Sequence, residues 1–290
     1  MSFDRLYYKL AAKGLGVEPA QLRANPYQTY IEAMAKSVKN SQIVDKTCLF
    51  GVDACFDDRG RETTRNKTVC TMNQDVLRVV AQYPDQFIPF CSINPKRTNA
   101  LELIDEQVEK GCQGAKFLQN YWGIDLNEER WIPYYEKLKW HRLPLIIHIG
   151  SEYSISSHAA FERADMLSLP LATGVTVIAA HMGLGRFSHK LRPWKNLSRN
   201  PDYFDADYFR LLEMLKKHPN LYADISAILP PHCALVLCAT CPSRLQYITK
   251  FCLVLTTLYL SLSVTIATTS ATISTKQSVA SRIHSIGMLR

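Results

Sequence analysis

Two histidines in this 290-residue chain stand in the same local setting. His148 closes the apolar run of LPLIIHIGS, residues 143–151, and His181 closes that of VTVIAAHMG, residues 175–183. Each is followed two residues later by a glycine, Gly150 or Gly183, which permits close backbone approach and a turn into a loop. An imidazole exchanges protons near neutral pH and gives a lone pair to a divalent metal. A single histidine of this kind is ordinarily a hydrogen-bonded packing residue. Two at matched positions predict a functional site in which side chains from neighbouring strands converge, on a metal ion or on a substrate. A metal there would polarise a carbonyl and make bound water acidic.

Such convergence needs a scaffold, and the chain supplies one. Apolar strand signals fall within residues 42–54, 86–95, 113–119, 143–150, 175–181 and 220–226. Amphipathic or helix-punctuated stretches separate them, at 26–40, 65–84, 98–112, 127–142, near 158–169 and at 205–219. The strands are continuously apolar rather than alternating, as in parallel sheets covered on both faces. A repeated βα unit of this kind predicts an α/β fold with right-handed crossovers. In an α/β barrel the functional side chains sit at the carboxyl ends of the strands, where both histidines fall. No G-x-G-x-x-G or P-loop follows any strand, which disfavours a nucleotide fold.

Other residues belong to the same face. The segment DACFDDRGR, residues 53–61, follows the first of these strands. Arg59 or Arg61 there is a candidate to meet a substrate carboxylate, the alternative being a solvated charged loop. Tyr121 and Trp122 follow the strand at 113–119 and either wall the pocket or pack as core aromatics.

The net charge of +8 says little about partners. Residues 225–290 contain no Asp or Glu, so the remaining body is close to balanced. No basic cluster is interleaved with aromatics, and a nucleic-acid partner is not expected. The expected partner is a small-molecule substrate, with self-association open and a membrane disfavoured. The nine cysteines lack the rhythm of a secreted scaffold, and MSFDRLYYKLAAKGLG has no apolar signal core, so a reducing cytoplasmic setting is expected.

The segments GCQGAKFLQNYWGIDLNEERWIPYYEKLKWHRLPLIIHIG, VIAAHMG and NLYADIS resemble the amidohydrolase superfamily. They are most similar to its amidohydrolase-related branch, which includes aminocarboxymuconate-semialdehyde decarboxylase-like enzymes. The resemblance covers about residues 40–226. It implies a (β/α)8 TIM barrel with a zinc-type mononuclear metal site, and metal-dependent hydrolysis or decarboxylation of a small carbonyl compound. It implies that His148 is a metal ligand and that His181 lies beside the metal and serves catalysis. It makes Lys116, in GAKFL, a candidate ligand or pocket residue, against an ordinary strand-end lysine pointing to solvent.

The family pattern also has a His-x-His pair on the first barrel strand and an Asp on the eighth. No histidine precedes His141 and no Asp follows Asp224. The six strands therefore correspond to the second through seventh, giving an incomplete barrel over 1–227. Asp224 ends the seventh, so the metal's Asp role is not assigned to it. Residues 228–290 are read as an atypical tail foreign to the fold, poorly packed or membrane-associated. Its uncharged stretch 251–275 is long enough to cross a bilayer but rich in Ser and Thr. Its CATC at 238–241 is a weak zinc signal. On this reading the chain is an amidohydrolase-type enzyme with an impaired metal site. The alternative is a non-catalytic paralogue or aberrant isoform.

Overall fold

The computed structural model describes residues 9, 12–13, 15–42, 44–63, 71–150, 157–183, 206–224 and 251–252. Six strands, β1 (Thr47–Phe50), β2 (Phe87–Phe90), β3 (Ala115–Phe117), β4 (Leu145–His148), β5 (Val177–Ala180) and β6 (Leu221–Asp224), fall at the six predicted places. A two-residue β7 (Phe251–Cys252) follows. Helices among the described residues include α1 (Pro19–Ala24), α2 (Pro26–Lys39), α3 (Asn73–Gln82), α4 (Ala100–Glu109), α5 (Gln119–Trp122), α6 (Ile132–Trp140), α7 (Ser168–Thr173) and α8 (Ala206–Lys217).

Every pairing among these seven strands is parallel. The strands pair as β1-β2 and as β3-β4-β5-β6-β7, and a parallel bridge from Cys91 to Ala115 joins the two groups. Strand order therefore follows chain order with no reversal. A doubly wound sheet reverses its order at a switch point, whereas a barrel wall does not. Among the described residues no pairing joins β1 to β7, so the wall is an incomplete (β/α) barrel.

The two faces of this wall separate cleanly. Phe117, Leu145, Ile147, Val177, Ala179, Leu221 and Ala223 join the helices in one large core. The alternate residues Cys48, Phe50, Phe90, Ile146, Ile178 and Ala180 pack together inside the barrel. Each large apolar side chain buried this way contributes about 1.5–3 kcal/mol. Close packing between β2 and β3 depends on Gly114, where a Cβ would stand 2.1 Å from the Phe90 ring.

Local chemistry explains the helix boundaries. Helix α2 opens on Pro26, and the Asn25 side chain accepts the Gln28 N–H. Gly111, at φ 96°, ends the turn after α4. The helix expected near 158–169 is instead two 3-10 turns, Ala159–Phe161 and Ala164–Leu167, followed by α7. Pro170 has no N–H to give and fits only a first turn, so a regular helix starts just ahead of it.

Among the described residues no helix is long and apolar enough to cross a membrane. Apart from β7, the tail at 228–290 lies outside the described residues, as does CATC at 238–241. Of the uncharged stretch 251–275 only β7 is described, pairing Ala223 with Phe251 and Asp224 with Cys252.

Candidate active site

Strand register fixes which side chains share the barrel interior. Lys116 pairs with Ile146, Ile146 with Ile178, and Ile178 with Tyr222. One layer nearer the carboxyl ends stand His148 and Ala180 in register, with Asp224 the next inward residue on β6. The residue between them, Ala180, is small.

Lys116 does not point to solvent: only 2% of its surface is exposed. Its Nζ lies 5.6 Å from the centroid of the Phe50 ring, a cation held over an aromatic face. The solvent-facing alternative fails because β3 turns this position into the barrel rather than toward its rim.

His148 is buried, and its Nε2 stands 3.1 Å from the Gly150 carbonyl. Burial pushes its pKa well below the usual histidine range, and the neighbouring His181 and Lys116 push the same way. The ring is therefore neutral at pH 7. A donated Nε2–H to Gly150 leaves Nδ1 with its lone pair. The backbone of His148 is fixed as well, because the Gln119 side chain donates to its carbonyl and to that of Phe161.

His181 is half-buried and sits on an unusual turn. His181, Met182 and Gly183 have φ of 62°, 54° and 63°. Left-handed backbone costs a non-glycine residue about 1–2 kcal/mol. The cost is offset by burial of Met182 and by a bond from the His181 N–H to Asp224 Oδ1 at 3.2 Å. Glycine at 183 takes the third left-handed position without strain. This turn brings the His181 ring to a centroid distance of 4.9 Å from that of His148, at 65°.

The other candidates are placed differently. Trp122 is buried in the helix-facing core, 5.3 Å edge-on to Phe117, and its Nε1–H donates to the Asp53 carbonyl at 3.0 Å. Arg59 is exposed on the turn after β1, where the Asp57 carboxylate accepts its N–H at 3.0 Å. Among the described residues no contact joins Arg59 to His148 or His181. Its neighbour Arg61 pairs with Asp57 on the same exposed turn.

A polar network among the loops that follow β1 and β2 escaped the sequence reading. Asp53 holds Arg97 through two bonds of 2.6 Å and also accepts the N–H groups of Ala54 and Asn94. The Arg97 guanidinium stacks 4.3 Å over Phe56. Ser92 links the Asp53 N–H to the Lys116 carbonyl, tying β1 to β3 through β2. The only sequence signal was a polar residue soon after each of two apolar strands. Asp224, set aside in the sequence, carries the same signal and is fully buried.

A neutral, oriented His148 is a sound donor to a divalent ion. Among the described residues, no group of three His, Cys, Asp or Glu side chains is placed to hold one. The fit is thus to a ligand, not to a whole metal centre.

A family model described as Amidohydrolase matches residues 47–247. The match begins at the first residue of β1 and passes the end of β6. No curated protein sequence matches the chain. Among solved structures it is similar to an uncharacterized TIM-barrel protein of Bordetella bronchiseptica, 17% identical, TM-score 0.54, over 86% of this chain and 76% of that one. It is also similar to 2,6-dihydroxybenzoate decarboxylase from Rhizobium, 14% identical, TM-score 0.45, over 74% of this chain and 76% of that one. A third is 5-carboxyvanillate decarboxylase of Novosphingobium aromaticivorans with bound manganese, 15% identical, TM-score 0.46, over 84% and 76%. The likeness to the Bordetella protein, at 17% identity, is one of fold.

Proposed function

The chain belongs to the amidohydrolase family, and on that footing we propose that it acts on a small carbonyl compound, by hydrolysis or by the related decarboxylation. The observation that carries the reading is the meeting of His148 and His181 at strand ends above a buried Lys116. A neutral imidazole, a half-buried imidazole and an ammonium group are the parts such chemistry uses.

His181 is the proton-transfer residue in this reading, because it is the more exposed of the pair. The Lys116 ammonium attracts the oxygen on which negative charge grows, and its burial strengthens that attraction. His148 is the residue that would hold a zinc-type divalent ion, with Nδ1 as donor. Such an ion supplies Lewis-acid polarisation of the carbonyl. The cytoplasm is the proposed setting, in keeping with buried Cys48, Cys55, Cys91 and Cys112 held as thiols.

The test is zinc content and turnover of the purified full chain, set against His148→Ala and His181→Gln. A panel of lactones, amides and aromatic carboxylic acids covers both reaction types. The expected result is substoichiometric zinc uptake that His148→Ala removes, and turnover that His181→Gln lowers by about 10²–10⁴-fold with that zinc retained. No zinc uptake together with no turnover on any compound would leave the non-catalytic reading in its place.

A further inference from the structure

The left-handed turn at His181 is held by a residue from another strand. Asp224 ends β6, is fully buried, and accepts the His181 N–H at 3.2 Å. Its carboxylate thus reaches across from β6 to the first residue after β5. That residue begins a run of two non-glycine positions in the left-handed region. Such backbone persists where the surroundings over-determine it. The direction of the His181 ring, and hence its contact with His148, follows from that backbone.

We propose that Asp224 is a positioning residue, whose carboxylate fixes the His181 backbone and through it aims the imidazole toward His148. The layer geometry supports the assignment. His148 and Asp224 flank Ala180 on the inner face of neighbouring strands, and the small alanine lets the carboxylate lean toward the turn. An N–H left without its acceptor in a buried layer carries its full desolvation cost, so the Asp224 oxygen is what keeps this backbone in place. Its effect on catalysis rests on the reading of His181 as the proton-transfer residue. Its effect on the backbone does not.

The experiment separates the two. Histidine-selective ¹⁵N labelling of the full chain gives one backbone amide signal for each of eight histidines. His181→Gln identifies the signal of interest by deleting it. In the wild type the His181 amide should be protected from hydrogen exchange. Asp224→Ala should speed its exchange by about tenfold or more, the worth of one buried hydrogen bond. Asp224→Asn keeps an acceptor oxygen and should hold most of the protection. The His148 ring signals should move in Asp224→Ala and stay near wild type in Asp224→Asn, since they sense the neighbouring ring. On any substrate the chain turns over, Asp224→Ala should lower kcat by about tenfold with little change in KM.

An unprotected His181 amide in the wild type overturns the proposal, and so does full protection in Asp224→Ala. Equal loss in the Asn and Ala variants overturns it too, because the acceptor would then not be what matters. If the Ala variant does not fold, the wild type and Asp224→Asn still decide. A chain with no activity defeats the catalytic reading and leaves the amide result standing.

Discussion

The rings of His148 and His181 lie 4.9 Å apart between centroids and 65° from parallel, although they come from different strands. Two imidazoles this close cannot both be charged at low cost. Their difference in burial decides which stays neutral. His148, walled by β3, β5 and the Gln119 side chain, is the neutral one.

The first prediction concerns acid. In the chelator-treated chain the folded pKa of His148 lies well below the ordinary value, through burial first and then His181 and Lys116. Above the unfolded value of about 6.5 both states hold the ring neutral, and its full contribution to stability is present. Below it the unfolded chain takes up a proton that the fold refuses. Stability then falls by up to about 1.4 kcal/mol per pH unit, until the folded pKa is passed. Urea unfolding from pH 8 to pH 5 should show this slope, and His148→Gln should flatten it. An unchanged slope in the variant would assign the acid sensitivity elsewhere.

Lys116 gives the second. Lys116→Met keeps the side-chain length and removes the charge. The apolar layer of Phe50, Ile146 and Ile178 accepts the new side chain, so stability should stay within about 1.5 kcal/mol of wild type or rise. Activity should fall by about 10²-fold, since the cation facing a developing oxyanion is gone. The His148 pKa should rise, because one of the groups depressing it has been removed. Calorimetry, turnover and ring-carbon NMR check the three parts. Full activity in this variant would remove Lys116 from the site.

The Asp53–Arg97 pair gives the third. Asp53 is buried and holds a guanidinium through two bonds of 2.6 Å while receiving two backbone N–H groups. Asp53→Ala strands all of these donors and should cost about 3–5 kcal/mol. Arg61 and Asp57 also pair, but Arg61 is exposed and the pair sits on an open turn. Arg61→Ala should change stability by less than about 1 kcal/mol. The two variants compared by urea unfolding test whether burial, rather than the presence of an ion pair, sets the cost.

The legible parts of this molecule were those written in local pattern. Continuous apolar runs marked all six main strands, because a strand covered on both faces needs no polar alternation. His148 and His181 were legible because polar residues are conspicuous at the ends of such runs. Lys116 was found, but its burial was not, since the direction of a strand-end side chain depends on register with β4. Asp224 was seen and passed over, because its partner is a backbone N–H on another strand and has no sequence signature. The Asp53–Arg97 bond was invisible for the same reason: it joins two loops whose approach depends on the β1–β2 pairing. The turn from His181 to Gly183 was foreseen only at its glycine.

The last prediction separates two ways in which a glycine is needed. At Gly183 the backbone is left-handed at φ 63°, yet a Cβ would meet its neighbours no closer than 3.4 Å. Gly183→Ala should therefore cost only the conformational term, about 1–2 kcal/mol. At Gly114 no left-handed backbone is involved, but a Cβ would stand 2.1 Å from Cε1 of Phe90, inside the barrel wall. That ring is buried among Cys48, Phe50 and Ile146 and has little room to retreat. Gly114→Ala should cost about 1–3 kcal/mol or more through overpacking. The two costs differ in what relieves them. Phe90→Leu trims the clashing ring, so in the double variant with Gly114→Ala the losses should fall short of additivity by about 1 kcal/mol or more. Phe90→Leu combined with Gly183→Ala should be additive within about 0.5 kcal/mol, because no shared contact couples them. Urea unfolding of the five variants measures both cycles, and additivity at Gly114 would show that the β2–β3 contact is not what excludes a side chain there.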